Sequence, residues 1–355
     1  MSNLIFNFTR LMSVFVLFLS VACTKKSENT AATPAQVVNL AIWGNYLSPE
    51  MAEKFTQTTG IKINISNYSS NEELLAKLQA GAAGIDVAVP SDYMVEIMAA
   101  EKLLEPLNMN EIPNSKGLDP QLLKQSFDPN NAFSLPYAWT TTGIAYNKEL
   151  IKEKISSWKD LFESKEAQGK LSMLDDVREV MGAALKKNGN SLNSEKDAEI
   201  KKAASDLAKI KNKIKMFNSD VIDALKNKEV AIAQAYSSDA LKAAEETKGA
   251  IVYVIPKEGA TFAIDNVVIP KGASNLKNAH ALINFLLSEE ANVDFVTKNW
   301  GGPVLLATKS KLPESVQNNL SLFPEDSVKN KLERMKDLGK SSALYDKAWG
   351  KIKSE

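Results

Sequence analysis

The sequence predicts an α/β fold of two doubly wound domains joined by a two-strand hinge. Three observations lead there. The 355 residues exceed what one hydrophobic core ordinarily serves and suit two domains. From residue 37 onward, apolar runs of strand length alternate with amphipathic runs of helix length, an order that argues for parallel strands with right-handed crossovers. Two extended stretches, residues 135–147 and 262–270, suit a chain that leaves one domain, builds a second and returns. Two such passages side by side act as a hinge. The expected partition puts residues 37–139 and 265–310 in a first lobe, and residues 140–264 and 311–355 in a second.

Taken in order, residues 37–43 read as a short buried strand ending at Gly44. Ser48, Pro49 and Glu50 open a helix, with serine as cap and proline at the first helical position. It closes at Gly60, which accepts the left-handed conformation. Residues 62–68 alternate apolar and polar, as a half-buried strand does. Ser70 and Glu73 form a capping-box pattern ahead of Leu74, Leu75 and Leu78, and Gly81 to Gly84 end that helix. Residues 85–90 read as another buried strand, with a helix from about Asp92. The middle of the chain repeats the style. Residues 171–174 run as a strand into Asp175 and Asp176, and the next helix carries Val177, Val180, Met181, Ala184 and Leu185 on one face. Residues 196–213 make a charged amphipathic helix whose charge run is a solvated surface. Residues 230–235 form a strand ending at Tyr236, and residues 251–256 and 261–270 form two more. Residues 274–287 read as a helix with Ala279, Leu282, Ile283, Leu286 and Leu287 inward. From about Pro313 the tail reads as mostly helical, broken at Pro324.

Composition narrows the function. Lys+Arg and Asp+Glu are both 43, so the basic surplus of a nucleic-acid binder is missing. Hydrophobic residues make up 44% and mean hydropathy is −0.20, values of a soluble globular body. Arg10 precedes an unbroken small or apolar run over residues 11–22. That run is too short to cross a bilayer and reads as a secretory signal, residues 1–22. Removing it takes away one base, Arg10, and leaves 42 basic and 43 acidic residues, a net charge of −1. Residues 23–36 read as a flexible tether. Cys23 is the only cysteine, so an exported fold must rely on its cores and not on disulfides. Residues 20–23, Ser-Val-Ala-Cys, resemble a bacterial lipobox, with Ser20 where leucine is usual. The resemblance implies a lipidated Cys23 and a membrane anchor through its acyl chains. Nothing signals oligomerisation, and a monomer is expected.

Five strand-to-helix junctions carry aromatics, carboxylates or hydroxyls in place of plain turn residues. They are Trp43 with Tyr46; Ser91, Asp92 and Tyr93; Asp175, Asp176 and Glu179; Tyr236 to Asp239; and Asp265. In open α/β sheets ligands sit beyond the carboxyl ends of the strands. Aromatic faces and carboxylates together suit an organic cation. Each residue also has a plainer reading. Trp43, Tyr46 and Tyr93 could be packing residues, and Ser91 a cap. Asp176 and Glu179 share a face at a helix start, where acids are favoured by the dipole and the free N–H groups, and Arg178 could pair with one of them. Asp265 interrupts an apolar strand, so it must be paired or serve a site. His280, the one histidine, sits within a predicted helix and reads as packed. Histidine- or thiolate-based metal sites and Ser–His–Asp or cysteine hydrolases are therefore excluded. There is no G-x-G-x-x-G or P-loop pattern. A hydrolase built on two carboxylates remains open.

The segments IWGNYLSPE, SNEELLAKLQAG, VAVPSDYMVE, SLPYAWTTTGIAYN, SSWKDLFE, MLDDVREVMGAAL, FNSD and IPKEGATFAIDNVVIP resemble the periplasmic spermidine/putrescine-binding proteins of ABC transporters, from about Asn39 to Leu287 and weakly beyond. The resemblance implies a type II periplasmic-binding fold, a polyamine ligand, a permease partner and no cofactor or metal. It implies that Trp43, Tyr46 and Tyr93 flank the ligand's methylene chain with Ser91 nearby. Asp176 and Glu179 would receive one amine end, and Asp265 an inner amine with Ser219 close by. Tyr236 would stand in for a tryptophan. Ala263, Gly302 and Met335 depart from the family pattern, which usually has an aromatic, a tyrosine and a polar group there; Trp300 is a candidate substitute for the tyrosine. The alternatives carried are a receptor for another small cationic solute, one that docks on a membrane sensor, and an exported carboxylate hydrolase.

Overall fold

The computed structural model describes residues 36–354 apart from 45, 69 and 82–83. The expected signal, Cys23 and the tether lie outside the described residues, except that Gln36 already belongs to the first strand. The first part of the fold runs β1 (Gln36–Trp43), α1 (Pro49–Thr59), β2 (Ile61–Tyr68), α2 (Asn71–Gln79), β3 (Val87–Ala88), α3 (Asp92–Ala100) and β4 (Leu104–Glu105). The long β5 (Ser134–Asn147) leads to α4 (Trp158–Glu163), β6 (Leu171–Met173), α5 (Val177–Lys187), α6 (Asp197–Ile210), β7 (Ile214–Phe217), α7 (Ile222–Lys226), β8 (Ile232–Tyr236), α8 (Ser237–Glu246) and β9 (Ile251–Val254). The chain returns through β10 (Phe262–Pro270) to α9 (Leu276–Leu286) and α10 (Glu289–Asn299), then α11 (Glu314–Gln317), α12 (Asp326–Lys329) and α13 (Ser342–Ser354).

The strand order is β2-β1-β3-β10-β5-β8-β6-β7, with β4 on β10 and β9 on β5. It contains two parallel groups. β1 pairs parallel with β2 and β3, and β6 pairs parallel with β7 and β8. Between them lie β5 and β10, antiparallel to each other. The second half of β5 pairs with β8 and β9, and the far half of β10 pairs with β3 and β4. These strands are the two extended passages expected from sequence, and the fold is two-lobed.

Local chemistry explains the elements. Ser48 caps α1 by accepting from the Met51 N–H, and Gly60 ends it at φ 73°. The Ser70 hydroxyl accepts from the Glu73 N–H. β1 is covered on both faces: Leu40 and Ile42 join one core with Phe55 and Ile283, while Ala41 joins another with Leu74, Met94 and Met98. Such two-sided burial is what helices on both faces of a parallel sheet require. Trp158, Met173, Met181, Leu207 and Tyr345 make the core around β6. Two sequence expectations are corrected. Residues 85–90 pair only at Val87 and Ala88. Asp86 instead spends its carboxylate on the N–H groups of Asn39, Ser274 and Asn275, and Pro90 has no N–H to give. The tail is less helical than expected, because residues 318–341 are mostly turns and irregular chain around the short α12. Its middle is held by strand-like bonds, with Phe262 N–H donating to the Glu333 carbonyl and Glu333 N–H to that of Ala260.

Candidate functional site

A cavity of about 950 Å³ receives all nine of the expected binding residues: Trp43, Tyr46, Ser91, Tyr93, Asp176, Glu179, Ser219, Tyr236 and Asp265. They come from the C-terminal end of β1, the starts of α3, α5 and α8, the loop after β7, and β10. This matches the general location of ligands beyond strand ends.

Asp265 reaches the cavity because β10 is irregular there. Asp265 opposes Ala138 whereas Asn266 opposes Pro136, so the register slips by one residue. A slip of this kind re-aims side chains, and proline on the partner strand has no N–H to contribute to the ladder. Both Asp265 oxygens are engaged: Ser91 Oγ donates to Oδ1 at 2.7 Å and the Tyr46 hydroxyl to Oδ2 at 2.9 Å. The Ser91 hydroxyl makes no bond to its own helix N-terminus, so it serves Asp265 and not a cap. Burial raises the Asp265 carboxyl above its ordinary range, and the two hydroxyls partly offset that.

The plainer reading of Asp176 as a cap holds, and the residue also faces the cavity. Its Oδ1 caps α5 by accepting from the N–H groups of Arg178 and Glu179, and its side chain lines the cavity. Glu179 is 5% exposed and accepts from Thr142 Oγ1 at 2.9 Å and Thr261 Oγ1 at 2.8 Å. Burial and the neighbouring Asp176 charge push Glu179 up to about 8, and burial raises Asp176 as well. Arg178 does not neutralise them through a direct bond. Its guanidinium donates to the Lys336 carbonyl and to Asn193 Oδ1 and lies over the Tyr345 ring.

The aromatic walls are fixed from behind. Trp43 donates its indole N–H to the Val89 carbonyl and packs on Tyr68 at 4.6 Å between centroids. Tyr46 stands edge-on to Phe295 at 5.2 Å. The Tyr93 hydroxyl accepts from Asn71 Nδ2 at 3.1 Å and donates to Glu72 Oε1 at 3.0 Å. Ser219 Oγ accepts from the Asp175 N–H at 3.3 Å.

Sequence reasoning left several lining groups out of the expected set. Glu72, Glu73, Asp92, Asp175, Asp220 and Asp239 bring the carboxylates on the wall to nine, and no lysine or arginine lines the cavity among the described residues. Asp175 pairs with Lys353 and Glu73 with Lys77. Asp92 is pushed up to about 7 and Asp239 to about 6, both chiefly by burial. Asp239 had a visible signal, since it follows Tyr236 by three residues at a strand-to-helix junction. The departures also find a place. Ala263 and Met335 line the cavity. Gly302 does not. A Cβ there would lie 2.0 Å from the Trp139 ring, so the indole already fills the space a side chain would need. Trp300 is corrected as a substitute wall: it caps α10 at φ 56° and donates its indole N–H to Glu245 at 2.8 Å. His280 is packed, with Nδ1 2.8 Å from the Leu276 carbonyl and Nε2 accepting from the Asn108 N–H. Among the described residues no cluster of His, Cys, Asp or Glu is arranged to hold a metal ion, and no helix is long and apolar enough to cross a membrane.

Residues 50–324 match the bacterial extracellular solute-binding protein family. The spermidine/putrescine-binding periplasmic protein of Salmonella typhimurium is 37% identical over 316 residues, covering 88% of this chain and 90% of that protein. A putrescine-binding periplasmic protein of Pseudomonas aeruginosa is 34% identical over 344 residues, covering 91% and 93%. The crystal structure of the Tp0655 (TpPotD) lipoprotein of Treponema pallidum superposes with a TM-score of 0.82 at 27% identity, covering 89% of this chain and 99% of that one. The chain therefore belongs to the bacterial extracellular solute-binding proteins, and its relatives there include spermidine- and putrescine-binding periplasmic proteins.

Proposed function

We propose that this protein captures a polyamine of the spermidine/putrescine kind in the cleft between its lobes and delivers it to an ABC importer, making and breaking no bond. One observation carries the reading: a cavity walled by nine carboxylates and several aromatic rings, with no cationic side chain on its lining. Such a lining is costly while empty and is relieved by a slender polycation. In this reading Trp43, Tyr46, Tyr93 and Tyr236 lie along the methylenes. Asp176 and Glu179 take one amine, with Ser219 near them. Asp265 takes another, oriented by Ser91 and Tyr46. Asp239, beside Asp220, offers a further station. Each amine–carboxylate pair contributes about 1.5–3 kcal/mol, so two or three pairs with apolar burial reach roughly micromolar affinity.

The proposed lobes are residues 37–139 with 265–310 and residues 140–264 with 311–355, hinged on β5 and β10. Closure follows because only the shut form touches the ligand from both lobes. The proposed cellular setting is the periplasm, with export by residues 1–22, lipidation at Cys23 and a monomeric receptor meeting a permease. The solute-binding role of the family supports reading the carboxylates as ligands for amines and not as hydrolytic groups. Calorimetry with spermidine and putrescine tests the proposal. Binding of at least one is expected, and no heat with either or with related diamines rejects it. A second reading has its own observation: Ala263 on the lining leaves room for a branched cation. A thermal-shift screen of amines separates the two.

A further inference from the structure

Glu179, like Asp265, accepts one hydroxyl on each carboxylate oxygen. Its donors are two threonines, one in β5 and one at the entrance to β10. Thr142 lies in β5, and Thr261 stands immediately before β10. The Thr142 N–H also donates to the Thr261 carbonyl at 3.1 Å, so the two threonines form one unit. Behind them, Gln234 Nε2 donates to the Glu179 carbonyl at 2.9 Å and pins the backbone of that first turn. The carboxylate thus cannot leave its place in the wall without breaking its bonds to Thr142 and Thr261, while Gln234 holds the backbone beneath it.

We propose that Thr142 and Thr261 are positioning residues for the amine site: their paired hydroxyls hold the Glu179 carboxylate at the cavity wall in the charge-accepting form that a protonated amine needs. The proposal rests on the polyamine reading for its ligand but not for its geometry. An ionised carboxylate only accepts, and it is satisfied here by two donors. Without them, burial and Asp176 leave the charge with little to favour it. The ionisable groups around it are Asp176 and Arg178 on its own element, Tyr236 on β8 and Tyr253 on β9. Of these only Arg178 carries positive charge, and it is turned toward Lys336 and Asn193. The two threonine bonds act in the lowering direction on Glu179, so removing them moves its titration upward.

The test uses Thr→Val, which keeps the β-branched shape and deletes the donor, and Thr→Ser, which keeps the donor. Spermidine affinity is measured by calorimetry from pH 6 to pH 9.5 on T142V, T261V, the double valine variant and the two serine variants. The wild type is expected to gain affinity with pH and level off near 8. The double valine variant is expected to bind about tenfold or more weakly at pH 7 and to level off at least about one unit higher. Serine variants are expected to follow the wild type. An unchanged pH profile in the double valine variant, or serine variants as impaired as valine ones, overturns the proposal. A ligand-free arm separates this from a failure of the polyamine reading. Carbon-13 NMR titration of the Glu179 carboxyl, assigned with E179Q, must show the midpoint rising in the valine variants and returning in the serine ones. An unmoved midpoint overturns the proposal whatever the chain binds. If the double variant does not fold, the single valine variants carry both arms.

Discussion

At the scale of single residues, Asp265 is a carboxylate whose surroundings do little for its charge. It is 4% exposed, lies on an otherwise apolar strand, and is satisfied by two hydroxyls and no cation. Burial favours its protonated form, so its charge is a burden to the empty fold and an asset only against a cation. The substitution Asp265→Asn is therefore expected to act in opposite directions on two measurements. Polyamine affinity should fall roughly 10- to 150-fold, the equivalent of one charge-assisted bond of about 1.5–3 kcal/mol. Melting temperature of the ligand-free protein at pH 8 should stay level or rise, since the amide keeps one acceptor and one donor for the same two hydroxyls. Titration calorimetry and thermal denaturation on the same preparation check both. A variant that loses stability and binding together would instead mark Asp265 as structural.

At the scale of elements, the crossing strands are the demanding part of the fold. β5 has to pair with β10 along one half and with β8 and β9 along the other, and Gly143 sits in the second half. A Cβ there would stand 2.4 Å from the Val254 carbonyl and 2.6 Å from the Tyr253 hydroxyl. Gly143→Ala must push β9 away, and is expected to destabilise the protein by about 1–3 kcal/mol, as overpacking does. A lowered urea midpoint with unchanged m-value would show it; an unshifted midpoint would mean that β9 yields freely. Much of this level was legible beforehand because its causes are local. Ser48 and Gly60 bound α1 through caps that need only neighbouring residues, and the two passages announced themselves as long extended runs. What escaped had distant causes. β3 starts late because the Asp86 carboxylate takes the Asn39 N–H that a longer ladder would use. The register slip at Asp265 depends on Pro136 in another strand. The same division holds in the site. Asp176, Glu179 and Asp265 stood out by type and place, whereas the threonines that serve Glu179 lie 37 and 82 residues away from it, beyond any pattern in sequence. Trp300 stood near the right segment but faces Glu245.

At the scale of the whole molecule, the raised carboxylates govern how stability depends on pH. Burial above all pushes Glu179, Asp92 and Asp239 up to about 8, 7 and 6, against roughly 4 in an unfolded chain. Between those limits the folded state binds more protons than the unfolded one, so stability falls as pH rises through the window. The penalty is absent below about pH 4 and complete above about pH 8. The opposite case, Asp206, is held well below the usual carboxylate range by three lysines and Asn188 despite the raising effect of its burial. Its contribution is lost only as pH falls below its unfolded value, so the two effects do not overlap. The ligand-free protein is accordingly expected to lose several degrees of melting temperature from pH 5 to pH 8. A bound polyamine supplies the missing positive charge and removes the cost of ionising the wall. The gap between bound and free melting temperatures should therefore widen over the same interval, with protons released on binding at pH 6–7. Thermal denaturation with and without spermidine, together with calorimetry in two buffers of different ionisation enthalpy, tests this. A gap that stays constant from pH 5 to pH 8 would mean that the cavity carboxylates are already neutralised within the empty fold, and would remove the electrostatic basis for capture.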